Sequence, residues 1–115
     1  MIPCILRIPH SIDLHEHPLV LSSSIILQTK ATCFPPVFLL SDLFDHPSSS
    51  SPCFDVIDAT AAPGNKTTFL GDILRNRGTV YAFDRDPKRF AVLQHRTSEY
   101  ASGNVFDITI YTMII

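Results

Sequence analysis

Cysteine is scarce in this chain. There are three, Cys4, Cys33 and Cys53, and no two form a CxxC. An odd, scattered set argues against a disulfide framework or a zinc site, and fits a reducing compartment. Long hydrophobic runs are also lacking. No stretch reaches the roughly 18–20 apolar residues of a membrane span. Met1 to Ile8 is too short and too poorly flanked for a signal peptide. An excess of one charge is missing as well. The formal net charge is −2, which makes no strong electrostatic case for nucleic acid. Seven of the nine Lys and Arg lie between Lys66 and Arg96, but six acids stand in and around that stretch. They are Asp55, Asp58, Asp72, Asp84, Asp86 and Glu99. Mixed signs at this density read as an ordinary solvated surface. With 115 residues the chain is one small domain at most.

The informative stretch is 56–84. Phe54 to Asp58 reads as a strand with an acid at its tip. Ala59 to Asn65 follows as a loop of small residues with one Pro and one Gly. A helix is expected from about Lys66 to Arg77, with Phe69, Leu70, Ile73 and Leu74 on the face that packs on a sheet. Arg75 and Arg77 suit its last turn, and Gly78 its stop. Thr79 to Phe83 is a nearly continuous apolar run, as buried parallel strands are, and ends in Asp84. Asp86-Pro87 is an N-cap with Pro in the first helical position. The second helix runs to about Tyr100 with Phe90, Leu93, Thr97 and Tyr100 on one face, and Gly103 ends it. Val105 to Ile115 is strand-prone. Residues 54–111 thus spell β-α-β-α-β, half of a doubly wound parallel sheet.

The first 53 residues are less regular. Leu19 to Gln28 reads as a hairpin around Ser22-Ser23-Ser24. His15 and His17 alternate as if on one strand face, and lack the further ligands a metal needs. Pro35-Pro36 suits the beginning of a helix. Cys33 reads as a buried structural thiol. Ser48 to Ser51, between Pro47 and Pro52, is a low-complexity loop. The expected division is an N-terminal segment, 1–53, and an α/β unit, 54–115.

In open α/β sheets, ligands sit outside the carboxyl ends of the strands, and an acid there often holds ribose hydroxyls. Asp58 and Asp84 are such acids, so a nucleoside-bearing cofactor is expected; the bland alternative is that both merely cap helices. A dinucleotide fingerprint needs GxGxxG, and only Gly64 is present. A phosphate loop needs GxxxxGK[ST], but Asn65 separates Gly64 from Lys66-Thr67. S-adenosylmethionine has no phosphate and needs a tight turn of small residues at a helix N-terminus, and an acid on the next strand for the ribose.

Asp58-Ala59-Thr60-Ala61-Ala62-Pro63-Gly64-Asn65-Lys66-Thr67 resembles the DxCAAPGxKT signature of the Sun-domain RNA cytosine-5 methyltransferases. Asn65 followed by Lys-Thr is similar to a ribosomal-RNA branch of that family. Flanking matches are Asp13 to Pro18, Ile26 to Cys33, Ala82 to Asp86 and Lys88-Arg89, so the resemblance spans roughly 12–104. It implies a partial Rossmann-like S-adenosylmethionine-dependent methyltransferase fold. Thr60, Ala61, Ala62, Pro63, Gly64, Asn65 and Lys66 would line the methionine end of the cofactor. Asp84 would accept from the ribose, and Arg89 would help hold the site. Thr60 replaces the usual Cys. Asp107 stands near where the family places an acid by the adenine.

The resemblance further implies an rRNA partner and, in a eukaryote, a nuclear or nucleolar location; otherwise the cytoplasm is expected. The family attacks cytosine C6 with one Cys and uses a second in product release. Both lie beyond the third strand, where this chain has no Cys. The chain is therefore expected to be a fragment with no catalytic residue of its own, inactive alone. A non-catalytic remnant that binds cofactor or protein, and a nucleotide-phosphate-binding module, are the alternatives.

Overall fold

Strand and helix signals alternate after residue 53, and the chain answers them with a parallel sheet. The structure, a computed structural model, describes residues 5–42, 53–75, 77–103 and 108–112. In chain order the elements are α1 (Pro18–Leu21), α2 (Lys30–Leu39), β1 (Val56–Asp58), α3 (Asn65–Leu74), β2 (Val80–Asp84), α4 (Pro87–Gly103) and β3 (Ile108–Thr112). The strands lie in the order β1-β2-β3. Val56 pairs with Val80 and Asp58 with Ala82; Val80 pairs with Ile108 and Asp84 with Thr112. This is the expected partial Rossmann-like α/β arrangement.

Parallel partners face the same way, so residue alternation sorts the two faces. Val56, Val80 and Ala82 are buried beneath α3 and α4. The expected stripe of α3 is there: Phe69, Leu70, Ile73 and Leu74 are all buried. On α4, Leu93, Thr97 and Tyr100 are buried. Leu74 and Leu93 are shut off from solvent, which is worth about 1.5–3 kcal/mol each. The opposite face presents Ile57, Tyr81, Phe83 and Tyr111. Ile57 is 70% exposed and Tyr111 43%, and Tyr111 stacks on both Tyr81 and Phe83. Both crossover helices therefore cover one face and leave the other bare.

Several expected boundaries move. α3 starts one residue early, at Asn65, and ends at Leu74 because Arg75 turns left-handed (φ 48°) and donates its N–H to Gly71. Arg77 lies beyond the helix and caps the Leu74 carbonyl with both its N–H (3.0 Å) and Nε (3.2 Å). Gly78 is needed for a different reason than a helix stop. Its φ is +147°, and a Cβ there would stand 1.7 Å from the Phe54 carbonyl oxygen. The backbone of 77–79 passes directly against that of 54–56, with Phe54 N–H donating to Arg77 O at 2.8 Å and Val56 N–H to Thr79 O at 2.9 Å.

The N-terminal segment departs most. The hairpin expected at 19–28 is instead the short helix α1, followed by irregular chain. Pro18 takes the first helical position, and Nδ1 of His17 accepts from Leu19 N–H as the cap. Ser22 and Ser24 then bond to each other locally at 2.9 Å, and Ser23 adopts φ 56°, which breaks any ladder. His15 lies in a turn with its Nδ1 2.6 Å from Asp13, so the two histidines share no strand face.

Helix α2 begins at Lys30, capped by Thr29, and carries Pro35 and Pro36 inside it rather than at its start. Proline there removes two i→i−4 bonds. Packing explains why the helix persists. Pro36 is buried, and Leu40, Val37 and Cys33 join the cluster of Val56, Phe69, Leu70, Ile73, Leu74 and Val80. Cys4, Ser48 to Ser51 and Asp107 lie outside the described residues.

Candidate functional site

Thr60 to Lys66, Asp84 and Arg89 gather at the carboxyl ends of β1 and β2. The chain leaves β1 at Asp58 and turns back at once. Asp58 Oδ2 accepts from Thr67 Oγ1 at 2.8 Å, tying the loop's start to the first turn of α3. Ala61 N–H reaches the Phe83 carbonyl at 2.9 Å, which seats the loop on the end of β2. Ala61 and Ala62 are buried, and Ala62-Pro63 is a cis peptide. Gly64 turns left-handed at φ +107° and becomes the N-cap of α3. A Cβ there would come within 3.2 Å of Leu93 Cδ1, so α4 lies close beneath the turn.

The N-cap, Gly64, has no side chain to cap α3. Thr68 N–H is the first to find its carbonyl, that of Gly64 at 2.9 Å. The N–H groups of Asn65, Lys66 and Thr67 have no intrahelical acceptor, and the helix dipole adds partial positive charge there. Lys66 and Thr60 are exposed, and so is Pro63.

Asp84 faces this turn from β2 and is buried, at 3% exposure. Oδ1 accepts from Asp86 N–H and Oδ2 from Ala62 N–H, both at 3.1 Å. The Asp86 and Ala62 N–H groups, with the Arg89 and Arg85 charges, hold its carboxyl below the usual 3.8 against the opposing effect of burial. It is therefore an ionised, acceptor-only group with lone pairs left over. Arg89 stands on the first turn of α4. Its Nη2 donates to the Ala62 carbonyl at 2.6 Å and lies 3.8 Å from Asp84 Oδ2. Ala62 is thus gripped on both sides, its N–H by Asp84 and its carbonyl by Arg89. Asp86, as expected, caps α4 through bonds from Lys88 and Arg89 N–H.

Asn65 differs from its neighbours. Its side chain turns to the N-terminal segment and to α4, donating to the Leu27 carbonyl at 3.3 Å and accepting from Arg96. Gln28 Nε2 donates to the Asn65 carbonyl at 2.9 Å. Sequence reasoning passed over Gln28 and Arg96 as site-supporting residues. Their partners lie 37 and 31 positions away, so no local pattern marks them. Asp58 bonds both the loop and α3: its Oδ1 accepts from Thr60 N–H at 3.4 Å, and its Oδ2 from Thr67.

The geometry describes a backbone cradle between two carboxylates at strand ends. The sequence profile of the 16S rRNA methyltransferase RsmB/F family matches residues 47–109. The chain belongs to this family. A 28S rRNA (cytosine-C(5))-methyltransferase of Mus musculus is 44% identical over 93 residues, 81% of this chain and 18% of that protein. The 25S rRNA (cytosine-C(5))-methyltransferase rcm1 of Schizosaccharomyces pombe is 35% identical over 101 residues, 88% of this chain and 20% of its own length. The structure of NSun6 from Pyrococcus horikoshii superposes with a TM-score of 0.65, at 21% identity, over 90% of this chain and 24% of that one; that likeness shows the shared fold. The RsmB/F-type chain described here thus spans about a fifth of the length of these curated relatives. No helix among its described residues is long and apolar enough to cross a membrane. Nor do three potential metal-ligating side chains cluster among them.

Proposed function

We propose that this chain forms the S-adenosylmethionine-holding part of an rRNA cytosine-5 methyltransferase. The observation that carries this reading is the buried, ionised Asp84 hydrogen-bonded to Ala62, beside a helix N-terminus whose N-cap is the side-chain-free Gly64. In this reading the backbone from Thr60 to Lys66 receives the methionine end of the cofactor. The open N–H groups of α3 take the carboxylate. Asp84 accepts from the ribose hydroxyls, using lone pairs that Ala62 and Asp86 leave free. Arg89 fixes the Ala62 carbonyl and so keeps the turn in shape.

The residues present fit that group better than a nucleoside triphosphate. Two carboxylates, Asp58 and Asp84, flank the cradle, and a polyphosphate would meet repulsion there. S-adenosylmethionine carries a sulfonium and an ammonium, which both carboxylates favour. When bound, the sulfonium would supply the methyl group. The thiol that attacks cytosine is not assigned to either described cysteine. Cys33 packs against the core beneath α2, and burial raises its thiol pKa, the opposite of activation. Cys53 is exposed before β1, at the far end of the sheet. The names of the relatives support rRNA as the partner and, for the eukaryotic ones, a nuclear or nucleolar site of action.

Titration calorimetry of the purified chain with S-adenosylmethionine and, separately, with ATP tests the reading. The expected result is saturable binding of S-adenosylmethionine. Binding of ATP alone would overturn it.

A further inference from the structure

Asn65 joins three segments. Its Nδ2 donates to the Leu27 carbonyl, its Oδ1 accepts from Arg96 of α4, and its backbone carbonyl accepts from Gln28 Nε2. The first turn of α3 is thereby held between residues 27–28 and α4. Farther back along the same segment, Ser23 Oγ donates to Glu99 Oε2 at 2.9 Å, again on α4. Residues 23–28 thus form a strap, anchored on α4 at one end and on the loop at the other.

The Gln28 amide shows what the strap is for. Its Oε1 is buried and has no partner among the described residues. Turning the amide over would aim that oxygen at the Asn65 carbonyl and lose the one bond made there. The bond to Asn65 therefore fixes the orientation, even though an acceptor goes unsatisfied. None of these contacts belongs to the β1-β2-β3 ladders. Those made by Asn65 and Gln28 bear on the first turn of α3, and that of Ser23 ties the segment to α4.

We infer that Asn65 and Gln28 are positioning residues: the strap holds the backbone of loop 59–66 in the shape that receives cofactor, and neither side chain touches the cofactor. The inference rests on the cofactor reading above. It makes the N-terminal segment part of the site, although no residue of that segment need reach the ligand.

The test compares the full wild-type chain with Asn65→Ala, Gln28→Ala and the double variant. Amide hydrogen exchange is read without cofactor, and S-adenosylmethionine affinity by calorimetry. Gln28→Ala, which loses one hydrogen bond, should speed exchange at Ala61, Ala62 and Gly64 by about 2- to 10-fold, and Asn65→Ala, which loses two, by at least as much. Val80 and Ala82 in β2 should keep their protection. Affinity should fall by a similar factor, and the double variant should be little worse than the worse single, because both act on one strap. Gln28→Ala, half-buried and outside the core, carries the test if Asn65→Ala fails to fold.

Two outcomes overturn the inference. One is weakened binding in Asn65→Ala with Gln28→Ala unchanged, which makes Asn65 a direct contact. The other is exchange that rises equally in β2, which makes the role general stability. Wild-type chain that binds no S-adenosylmethionine overturns the cofactor reading instead, and loop exchange then still decides the strap.

Discussion

At the amino ends of β1 and β2, Gly78 lets two backbones meet, and their polar groups pair with each other. Phe54 N–H bonds Arg77 O, Val56 N–H bonds Thr79 O, and Thr79 N–H bonds Asp55 Oδ1 at 3.0 Å. At the carboxyl ends, Gly64 also makes a left-handed turn, and Asp58 and Asp84 also bond backbone N–H groups. There, however, the first N–H groups of α3 lack intrahelical acceptors and Asp84 keeps lone pairs in reserve. Both ends use glycine and aspartate. One end closes on itself, and the other, among the described residues, leaves helix N–H donors without an intrahelical acceptor beside a carboxylate with lone pairs to spare. An acid at a strand end is therefore weak as a signal by itself. What distinguishes the two ends is which backbone groups remain for a ligand.

Substitutions can break this contrast. The largest effect is predicted at the closed end. Gly78→Ala places a Cβ inside the van der Waals shell of Phe54 O, at a φ that side chains resist. We predict a loss of more than about 3 kcal/mol in stability, read by urea unfolding. A variant as stable as wild type would show that 54–56 and 77–79 do not approach as described.

Next come the carboxyl ends of the strands. Asp84→Asn keeps the shape and removes the charge. We predict weaker S-adenosylmethionine binding by about 1.5–3 kcal/mol, the scale of hydrogen bonds to charged groups. Asp55→Asn, the matched change at the other end, should leave affinity alone. Equal losses in both would erase the functional difference between the ends.

A smaller effect is expected at Thr67. Its side chain is fully buried and its hydroxyl donates to Asp58. Thr67→Val should cost about 1 kcal/mol in thermal unfolding, by removing that donor without changing volume. No change would mean that Asp58 holds the loop without it.

The smallest effect is a pH dependence away from both ends. Asp72 accepts from Tyr100 OH at 2.5 Å between α3 and α4, and burial raises its pKa above 3.8. A raised folded-state value means that the native protein binds the extra proton. The stability this gives is fully present below the unfolded value and is lost as pH rises through the folded one. Asp84 has the opposite sign: its contribution is present above 3.8 and is lost as pH falls through its lowered value. Asp72→Asn keeps an acceptor for Tyr100. We predict that it matches or exceeds wild-type melting temperature at pH 7 and flattens the melting profile above pH 3.8. A variant less stable at pH 7 would contradict this.

Much of the α/β unit was legible because its signals are local. Asp86-Pro87 marks a helix start, the 69–74 stripe marks a buried face, and Asp58 and Asp84 end their strands. The boundary error at Arg77 has a local look and a tertiary cause: Gly78 is required by Phe54, 24 residues earlier, rather than by α3. The N-terminal segment was misread because the contacts that seat it on the α/β unit are not local. Two apolar runs around Ser22-Ser23-Ser24 suit a hairpin at 19–28, yet Ser23 and Gln28 find their partners on α4 and at the start of α3. Pro35 and Pro36 sit within α2 because the core beside them outweighs propensity. For the site, the loop and both acids could be read from spacing and resemblance. The Asn65 side chain could not, since its partners Leu27 and Arg96 come from opposite directions along the chain.

The most direct test is a backbone amide NMR titration of the full chain with S-adenosylmethionine. Shifts concentrated at Ala61 to Thr67 and at Asp84, with Phe54 and Arg77 to Thr79 unmoved, are predicted. Shifts centred on the Phe54–Gly78 end, or none at saturating cofactor, would contradict the account.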